Sequence, residues 1–276
     1  MDTILSSLSS RFRARRLAPT LAPALALFLA LTSGCGPLLV TTDDAITCPE
    51  AGPHCPHAAH HDCGAVAYRE GTDPGTIHWI DLETLAETLP EPPIDVVFDV
   101  DDTVLFTTPG FQWGSRTYGD AVVKSGAPVR EQDLPNDEAR QKFREFWTRM
   151  NNELDQWSVK KWIAVELIRL HKSRGDRIHF VTKRVKTGSE KLTELISKTF
   201  DLPGMDPVLF TDRSSKLPFF QQVHAQLSYG DSDGDIRESI AAGARAIRVM
   251  RARNSDNSDP THNGVFGEEV LIDSEN

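Results

Sequence analysis

From about residue 76 to the end of the chain, short apolar runs alternate with amphipathic stretches. Short apolar runs are typical of buried strands, whereas apolar residues that recur every three or four positions are typical of helices. The predicted strands are Ile94–Phe98, Arg177–Thr182, Pro207–Phe210, Leu227–Gly230 and Ala246–Met250. The predicted helices are His78–Leu89, Asp137–Met150, a helix that Ser158 caps and Gly175 ends, Glu190–Thr199, Leu217–Gln226 and Ile236–Ala244. This alternation predicts an α/β fold with a parallel sheet and right-handed crossovers.

Residues 107–155 interrupt the alternation. The segment is mostly polar, its first part is rich in glycine, and its helix carries aromatic residues on one side. Because the segment follows soon after the strand Ile94–Phe98, we interpret it as a small inserted cap that covers the end of that strand. The domain that contains this cap is predicted to span residues 76–276.

The first 35 residues have the composition of an export signal. Four arginines between Arg11 and Arg16 precede a short apolar stretch, which ends in small residues and Cys35. This order is typical of a secretory signal, and the apolar part is shorter than a comfortable membrane span. Leu31–Cys35 also resembles a bacterial lipoprotein box, in which Cys35 would carry the lipid. Both interpretations predict an exported protein, either lipid-anchored to the bacterial envelope or released into the periplasm by cleavage near that point.

Residues 36–75 form a separate segment rich in cysteine, histidine and proline. It contains Cys48, Cys55 and Cys63. An exported chain favours one local disulfide with one thiol left over. A short Cys/His tract could instead bind zinc or another transition metal. We interpret the segment as a tether between the export signal and the domain.

The formal net charge of the chain is −10, with 25% charged and 39% hydrophobic residues. The hydrophobic fraction is that of a globular protein. A surplus of negative charge argues against a nucleic-acid polymer as partner. It also means that any site for an anionic substrate needs local positive charge.

Four predicted elements of the domain end or begin with polar side chains suited to one chemistry. Asp99 and Asp101 come directly after a buried apolar run, and the other three positions are Thr182, Lys216 and Asp231. Open α/β sheets bind their ligands at the carboxyl ends of the strands, where these residues are expected to meet.

Phosphoryl transfer needs this set of groups. A carboxylate such as Asp99 can attack phosphorus and carry the phosphoryl group, and Mg²⁺ held by Asp99 and Asp231 can neutralise the repelled anion. Lys216 and Thr182 can hold the remaining phosphate oxygens. Asp101 can protonate the leaving group and then activate water. Such an acid works best at acidic pH, where Asp101 is protonated while Asp99 stays ionised beside the cation.

The run GDSDGD at residues 230–235 also has a competing interpretation as part of a calcium loop. An EF-hand loop requires glutamate six residues after its glycine. The residue six positions after Gly234 is Ile240. The run therefore argues against an EF-hand.

The motifs together resemble those of a known family. DVDDTV, VTKR, Lys216 and GDSDGD resemble the four motifs of the haloacid dehalogenase-like superfamily. FDVDDTVLFTTPGF, FWTRMNN, HFVTKR, YGDSDGDI and FGEEV resemble the class B non-specific acid phosphatases, which are secreted bacterial enzymes. The resemblance runs from about Ile77 to Glu275. It implies a Rossmann-like parallel sheet with helices on both faces and a small cap.

The resemblance also implies a role for each matching residue. Asp99 would be the nucleophile and Asp101 the acid/base. Mg²⁺ would be held by the Asp99 side chain, the Asp101 backbone carbonyl and Asp231, with Asp235 supporting its water shell.

Further roles concern the substrate, which the resemblance implies to be a small phosphomonoester such as a nucleotide or aryl phosphate. Thr182, Arg184 and Lys216 would contact the phosphate. Phe111 and Trp147 would form an aromatic slot for the leaving group, although Trp147 could equally be a core residue. Members of the family are typically tetramers, which implies a homo-oligomer here.

Three alternatives stay open. The protein could be a class C-type lipoprotein acid phosphatase, which the Cys35 box favours, or a phosphotransferase that uses an alcohol in place of water. An alternative of another kind is a surface metal-binding lipoprotein with a vestigial phosphatase domain.

Overall fold

The structure is a computed structural model that describes residues 77–119 and 129–275. The predicted signal, the tether with its cysteines, and residues 120–128 of the predicted cap lie outside the described residues. Within the two described ranges, no helix combines the length and the apolar character needed to cross a membrane.

Among the described residues, seven parallel strands form the central sheet. They are β1 (His78–Ile80), β2 (Asp95–Asp99), β5 (Arg177–Thr182), β6 (Leu209–Phe210), β7 (Leu227–Gly230), β8 (Arg245–Val249) and β9 (Glu269–Leu271). Their order across the sheet is β1, β9, β8, β7, β2, β5, β6. A separate antiparallel pair consists of β3 (Leu105–Phe106) and β4 (Val159–Lys160). The parallel α/β architecture predicted from the sequence is confirmed.

The described part of the chain contains seven α-helices. They are α1 (Leu82–Thr88), α2 (Thr108–Tyr118), α3 (Asp137–Asn152), α4 (Trp162–Arg174), α5 (Leu192–Phe200), α6 (Leu217–Gln222) and α7 (Asp233–Ala241). Two 3-10 turns, Glu131–Asp133 and Leu154–Trp157, flank α3. The helix starts follow local chemistry: Asn136 accepts a hydrogen bond from the Ala139 amide, and Ser232 and Asp235 form a capping box.

Apolar packing covers both faces of the sheet. Alternate residues of a strand point to opposite faces. Phe98 of β2 packs in the larger core with Ile163 of α4 and Ile196 of α5. Val97, one position earlier, packs in a second cluster with Phe220 of α6. The sheet therefore has helices on both sides, and β2 is buried along its whole length.

Helices α2 and α3 form a third apolar cluster, separate from the sheet cores. Its buried members include Phe146, Trp147 and Met150 of α3, with Phe111 of α2 packed against them. Gly114 allows the close approach of the two helices, because any side chain at that position would collide with the ring of Phe146. This cluster lies within the segment 107–155 that we predicted to be a cap.

Two secondary-structure predictions are wrong. The predicted helix His78–Leu89 begins as strand β1, which pairs with β9 from the far end of the chain, and Asp81 caps the shorter helix α1. Ser158 does not cap a helix, because Val159–Lys160 pairs with β3 and α4 begins at Trp162. In both cases a long-range strand pairing overrides a helical spacing of apolar residues.

The other predicted elements exist but differ at their ends. Helix α5 begins at Leu192, β6 spans only Leu209–Phe210, α6 ends at Gln222, and α7 spans Asp233–Ala241.

Candidate active site

Three buried carboxylates meet at the carboxyl edge of the sheet. Asp99 is the last residue of β2, Asp231 follows β7, and Asp235 lies in the first turn of α7. One oxygen from each lies within 4.8 Å of the other two. Their side chains are nearly inaccessible to solvent. Hard oxygen donors at this spacing fit the ligand preference of Mg²⁺.

Lys216 lies against two of these carboxylates. It precedes α6, and its Nζ donates hydrogen bonds to Asp99 Oδ1 and, at 2.6 Å, to Asp235 Oδ1. Thr103 Oγ1 donates to Asp99 Oδ2 at 3.1 Å. Two cations thus neutralise part of a cluster of three carboxylates, because Lys216 pairs with Asp99 and Asp235 while Arg251 pairs with Asp231. The remaining negative charge favours a further cation at this place.

The pKa values of the cluster move in different directions. Burial raises the pKa of Asp99 well above its ordinary value, Lys216 lowers it, and Asp235 and Asp231 raise it further. Burial also acts to raise the pKa of Asp235, but Lys216 outweighs it and the pKa falls below the ordinary value. Proximity to Asp235 and Asp99 raises the pKa of Lys216, although burial alone would lower it. Asp99 is therefore the carboxylate whose ionised form most needs a positive neighbour.

Asp101 belongs to a second buried network. Thr182 Oγ1 donates to Asp101 Oδ2 at 3.2 Å, and Arg184 Nη2 donates to Asp101 Oδ1 at 2.8 Å. The same guanidinium donates to Asp155, with Nη1 at 2.6 Å from Oδ2 and Nη2 at 2.9 Å from Oδ1. Arg184 thereby fixes Asp101 in one orientation.

The expectation of a readily protonated Asp101 beside an ionised Asp99 does not match the pKa directions. Burial acts to raise the pKa of Asp101, but the charge and hydrogen bonds of Arg184 bring it below the ordinary value. The sequence spacing does not show this, because Arg184 follows Asp101 by more than eighty residues and reaches it only through the pairing of β2 with β5.

A cavity of about 100 Å³ opens over these groups. It brings together Asp99, Asp101, Asp231, Asp235, Arg184, Lys216, Phe111 and Trp147 among its lining residues. Of the predicted site residues, Thr182 does not line the cavity and reaches it only through its hydrogen bond to Asp101. Trp147 was expected to be either part of an aromatic slot or a core residue, and the structure shows features of both. It lines the cavity, and it is only 1% exposed within the aromatic cluster.

Several residues of the site were not predicted. Asp155 holds Arg184 from the turn after α3, and Arg251 donates from Nε to Asp231 Oδ2 at 2.7 Å. The Arg251 Nη1 also donates to the backbone carbonyls of Asn257 and Asp259, in a loop that lines the cavity. The sequence carries no local signal for either residue, because each acts on a partner distant in the chain.

Comparison with known proteins identifies the family. Residues 82–259, more than half of the chain, match the family described as HAD superfamily, subfamily IIIB (Acid phosphatase). Class B acid phosphatases from Salmonella arizonae and Morganella morganii are 37% and 38% identical to this chain. Each alignment covers 72% of this chain. The alignments cover 81% of the Salmonella arizonae protein and 80% of the Morganella morganii protein. The chain belongs to the class B acid phosphatase family.

A further curated relative agrees with this membership. The class B acid phosphatase of Haemophilus parainfluenzae is 38% identical, covering 75% of this chain and 84% of its own. A solved structure of a HAD family hydrolase from Deinococcus radiodurans is 14% identical to this chain and superposes with a TM-score of 0.43. The match covers 66% of this chain and 92% of that protein.

Family membership confirms the resemblance seen in the motifs. The class B acid phosphatase described here is a phosphoric monoester hydrolase that acts on small-molecule phosphate esters. Its described residues also hold the buried aspartate cluster that the motifs predict at the strand ends.

Proposed function

We propose that this class B acid phosphatase hydrolyses organic phosphomonoesters, including nucleotides and aryl phosphates, with Mg²⁺ and through a phosphorylated Asp99. The single observation that carries the proposal is the position of Asp99 at the centre of the buried cluster with Asp231, Asp235 and Lys216. A carboxylate there is reachable from the cavity and is surrounded by groups that can stabilise a phosphate anion.

Two displacement steps account for hydrolysis. In the first, a carboxylate oxygen of Asp99 forms a bond to phosphorus, the ester P–O bond breaks, and the leaving oxygen takes a proton from Asp101. In the second, Asp101 takes a proton from water, the resulting hydroxide attacks phosphorus, and phosphate leaves as the Asp99 carboxylate is restored. An alcohol in place of water would give phosphotransfer by the same steps.

Mg²⁺ fits the residues present. Asp99 and Asp231 would hold it, with the Asp101 carbonyl as a further ligand and Asp235 next to its waters. The three side chains offer only hard oxygen donors within 4.8 Å of one another. When bound, the ion would neutralise charge on the phosphoryl group and favour the ionised form of Asp99.

The remaining site residues would act on the phosphoryl group or on Asp101. Lys216 would contact phosphate oxygens. Thr182 and Arg184 support the acid/base role of Asp101, because both hold its carboxylate in the structure. Arg184 is fully committed to Asp101 and Asp155, which favours a positioning role over direct phosphate contact. Phe111 and Trp147 would form the wall against which an aromatic leaving group stacks.

Export is part of the proposal and depends on the sequence of the first 35 residues. We propose that the enzyme works outside the cytoplasm, in the periplasm or attached to the envelope through a lipid on Cys35. Labelling of the full chain with a radioactive fatty acid, compared with a Cys35→Ala variant, separates the two. Incorporation that depends on Cys35 supports the anchor, and absence of label from both proteins refutes it.

Trapping of the intermediate tests the reaction. The full-length enzyme is mixed with Mg²⁺ and ³²P-labelled phenyl phosphate and quenched in acid, which preserves acyl phosphates. We expect label on the peptide that contains Asp99, sensitive to hydroxylamine, and no label after chelation or in Asp99→Asn. Asp95→Asn, which changes another buried aspartate of the same strand, serves as the control and should label normally. Turnover without a labelled Asp99 peptide would refute the proposal.

A further inference from the structure

Four cations line the catalytic cavity, and they fall into two pairs. Lys216 and Arg184 are both ion-paired with buried aspartates. Lys183 and Arg213 line the same cavity, yet among the described residues neither side chain has an ion pair or a hydrogen bond to a carboxylate. The pocket thus holds two positive charges that form no ion pair with its carboxylates, although Lys183 acts electrostatically on Asp235, and Asp259 and Asp101 act on Arg213.

Of the two cations, Arg213 gives the stronger indication of a bound anion. Its Nε is buried and has no hydrogen-bond partner among the described residues. The guanidinium carbon lies 5.1 Å from the centroid of the Trp147 ring, so the side chain rests on the wall of the cavity. A buried donor without a partner costs free energy, and a bound anion would remove that cost. Guanidinium is also the side chain best suited to bind phosphate with two parallel hydrogen bonds.

The backbone holds Lys183 and Arg213 next to each other. Lys183 follows β5 and Arg213 follows β6. The Arg213 amide donates to the Lys183 carbonyl at 3.1 Å, and the Thr211 amide donates to the Thr182 carbonyl at 2.9 Å. Gly234 leaves room for the Lys183 ammonium, since a Cβ there would lie 2.5 Å from Nζ. Strand pairing therefore fixes both cations at the same edge of the site.

The two cations also lie at the boundary between two cavities. Both line the catalytic cavity and a neighbouring cleft, whose other lining residues include Ser214, Ser215 and Arg237. An anion bound between them would lie outside the cluster of Asp99 and Lys216 but within the reach of one extended substrate. The position suits a second negative group of the substrate.

We propose that Lys183 and Arg213 form a second anion subsite, which selects phosphomonoesters that carry a second phosphoryl group elsewhere in the molecule. This inference rests on the proposed function, because it names a substrate class for the same site. Asp259 also lines both cavities. Its negative charge would repel the second phosphoryl group, so the attraction of the two cations must exceed that repulsion.

The test compares two series of substrates. The first is a set of α,ω-alkanediol bisphosphates with two to six carbons, and the second is the matching set of hydroxyalkyl monophosphates. Phosphate release from the full-length enzyme with Mg²⁺ gives kcat/KM for each compound. We expect the best bisphosphate to exceed its monophosphate by about tenfold or more, the size of one charge-assisted contact. The preference should peak at one spacer length, because the distance between the two sites is fixed.

Variants assign the preference to the two side chains. Lys183→Gln and Arg213→Gln should each reduce the ratio of bisphosphate to monophosphate, and the double variant should bring it close to one. Lys198→Gln, an exposed position on α5 outside both cavities, removes the same charge and should keep the wild-type ratio. Inhibition by inorganic phosphate checks that each variant still has a formed site.

The outcomes separate this inference from the proposed function. Equal kcat/KM for both series in the wild type would overturn the second subsite and leave the phosphatase intact. An equal loss for both series in the variants would also overturn it, because the cations would then serve the transferred phosphoryl group. No release from any compound would refute the proposed function itself.

Discussion

Strand β2 carries an aspartate at each end, and the two behave oppositely. Asp95, at the amino end, accepts hydrogen bonds from Arg177 and from His179, which is 3.0 Å away, and has a pKa below its ordinary value. Asp99, at the carboxyl end, shares Lys216 with Asp235 and has a pKa well above its ordinary value. The same residue type on one buried strand is thus stabilised in its ionised form at one end and destabilised in it at the other, where we propose that it reacts.

The number of positive partners explains the difference. At the amino end, Asp176 accepts from the Ile94 amide at 3.0 Å, from Arg174 at 2.9 Å, and shares a hydrogen bond with His171 at 2.7 Å. Asp95 and Asp176 thus each have an arginine and a histidine as partners. At the carboxyl end, Asp99 and Asp235 share the Lys216 ammonium group and Asp231 pairs with Arg251, so three carboxylates have two cations between them and part of their repulsion remains. A surplus of buried negative charge therefore lies at the end of the sheet where we propose that a cation and an anionic substrate bind.

Replacement of each aspartate by asparagine gives the largest expected effect. Asp99→Asn should lower kcat for an aryl phosphate by at least about 10⁴-fold, because the nucleophile is lost. Asp95→Asn should change kcat by less than about threefold but lower the free energy of unfolding by about 1–3 kcal/mol, because Arg177 and His179 lose a charged partner. Steady-state kinetics measure the change in kcat of both variants, and urea unfolding measures the change in their free energy of unfolding.

Two results would break the comparison. If Asp99→Asn kept most of its activity, another group would be the nucleophile. If Asp95→Asn lost as much activity as Asp99→Asn without unfolding, the amino end of the strand would be part of the site after all. A stability loss in Asp99→Asn as large as that in Asp95→Asn would show that both ends are structural.

Replacement of the arginines that pair with Asp101 and Asp95 compares the two ends of β2 again, with a smaller expected effect. Arg184→Met should lower kcat by about 10²-fold or more, because Asp101 loses the guanidinium that orients it. Since Arg184 holds the pKa of Asp101 below its ordinary value, its removal should also move the pH limb that Asp101 governs to higher pH. The pH dependence of kcat/KM for a fast aryl phosphate measures both effects.

Arg177→Met is the matched control at the amino end. The Arg177 side chain is 57% exposed, so its loss should reduce stability only slightly and leave the pH profile in place. A shifted profile in this control, or an unshifted one in Arg184→Met, would contradict the assignment of Asp101 to Arg184.

The carboxyl end of the sheet could be predicted from sequence because its signals are local. Asp99, Asp101 and Asp231 lie at or just after the ends of apolar strands. Because parallel strands bind ligands at their carboxyl ends, these residues could be expected to meet at one edge of the sheet. The side chains that hold Arg184 and Asp231 in place could not be predicted. Asp155 lies in a polar turn and Arg251 in the segment after β8, and each contacts a residue distant in the chain. Their roles arise only when distant segments pack together.

Edge elements show the same limit within the fold. The central strand β2 is buried on both faces and reads as an apolar run. Strand β1 spans only three residues, and its apolar positions continue into the spacing of α1. Only its pairing with β9, nearly two hundred residues later, makes it a strand. Local pattern decides an element when burial is complete, and long-range pairing decides it at the edge.

The smallest effect concerns acid stability of the amino end. His171 is fully buried, and with the ring neutral its Nδ1–H donates to Asp176 at 2.7 Å while Nε2 accepts from the Tyr229 hydroxyl at 2.9 Å. Burial lowers the pKa of His171 below 6.5, and Asp176 only partly opposes this. The unfolded chain therefore binds a proton more readily than the folded one, so stability is full above about pH 6.5 and falls as the pH drops below it.

His171→Gln should test this without emptying the core. The amide keeps one donor and one acceptor but cannot be protonated, so we expect a loss of about 1–2 kcal/mol at pH 7 and a shallower fall between pH 7 and 5. Urea unfolding at several pH values gives the slope. A slope as steep as that of the wild type would mean that another group carries the acid sensitivity. A shallow slope with normal kcat would show that the amino end sets how far the enzyme tolerates acid, whereas the carboxyl end sets what it does there.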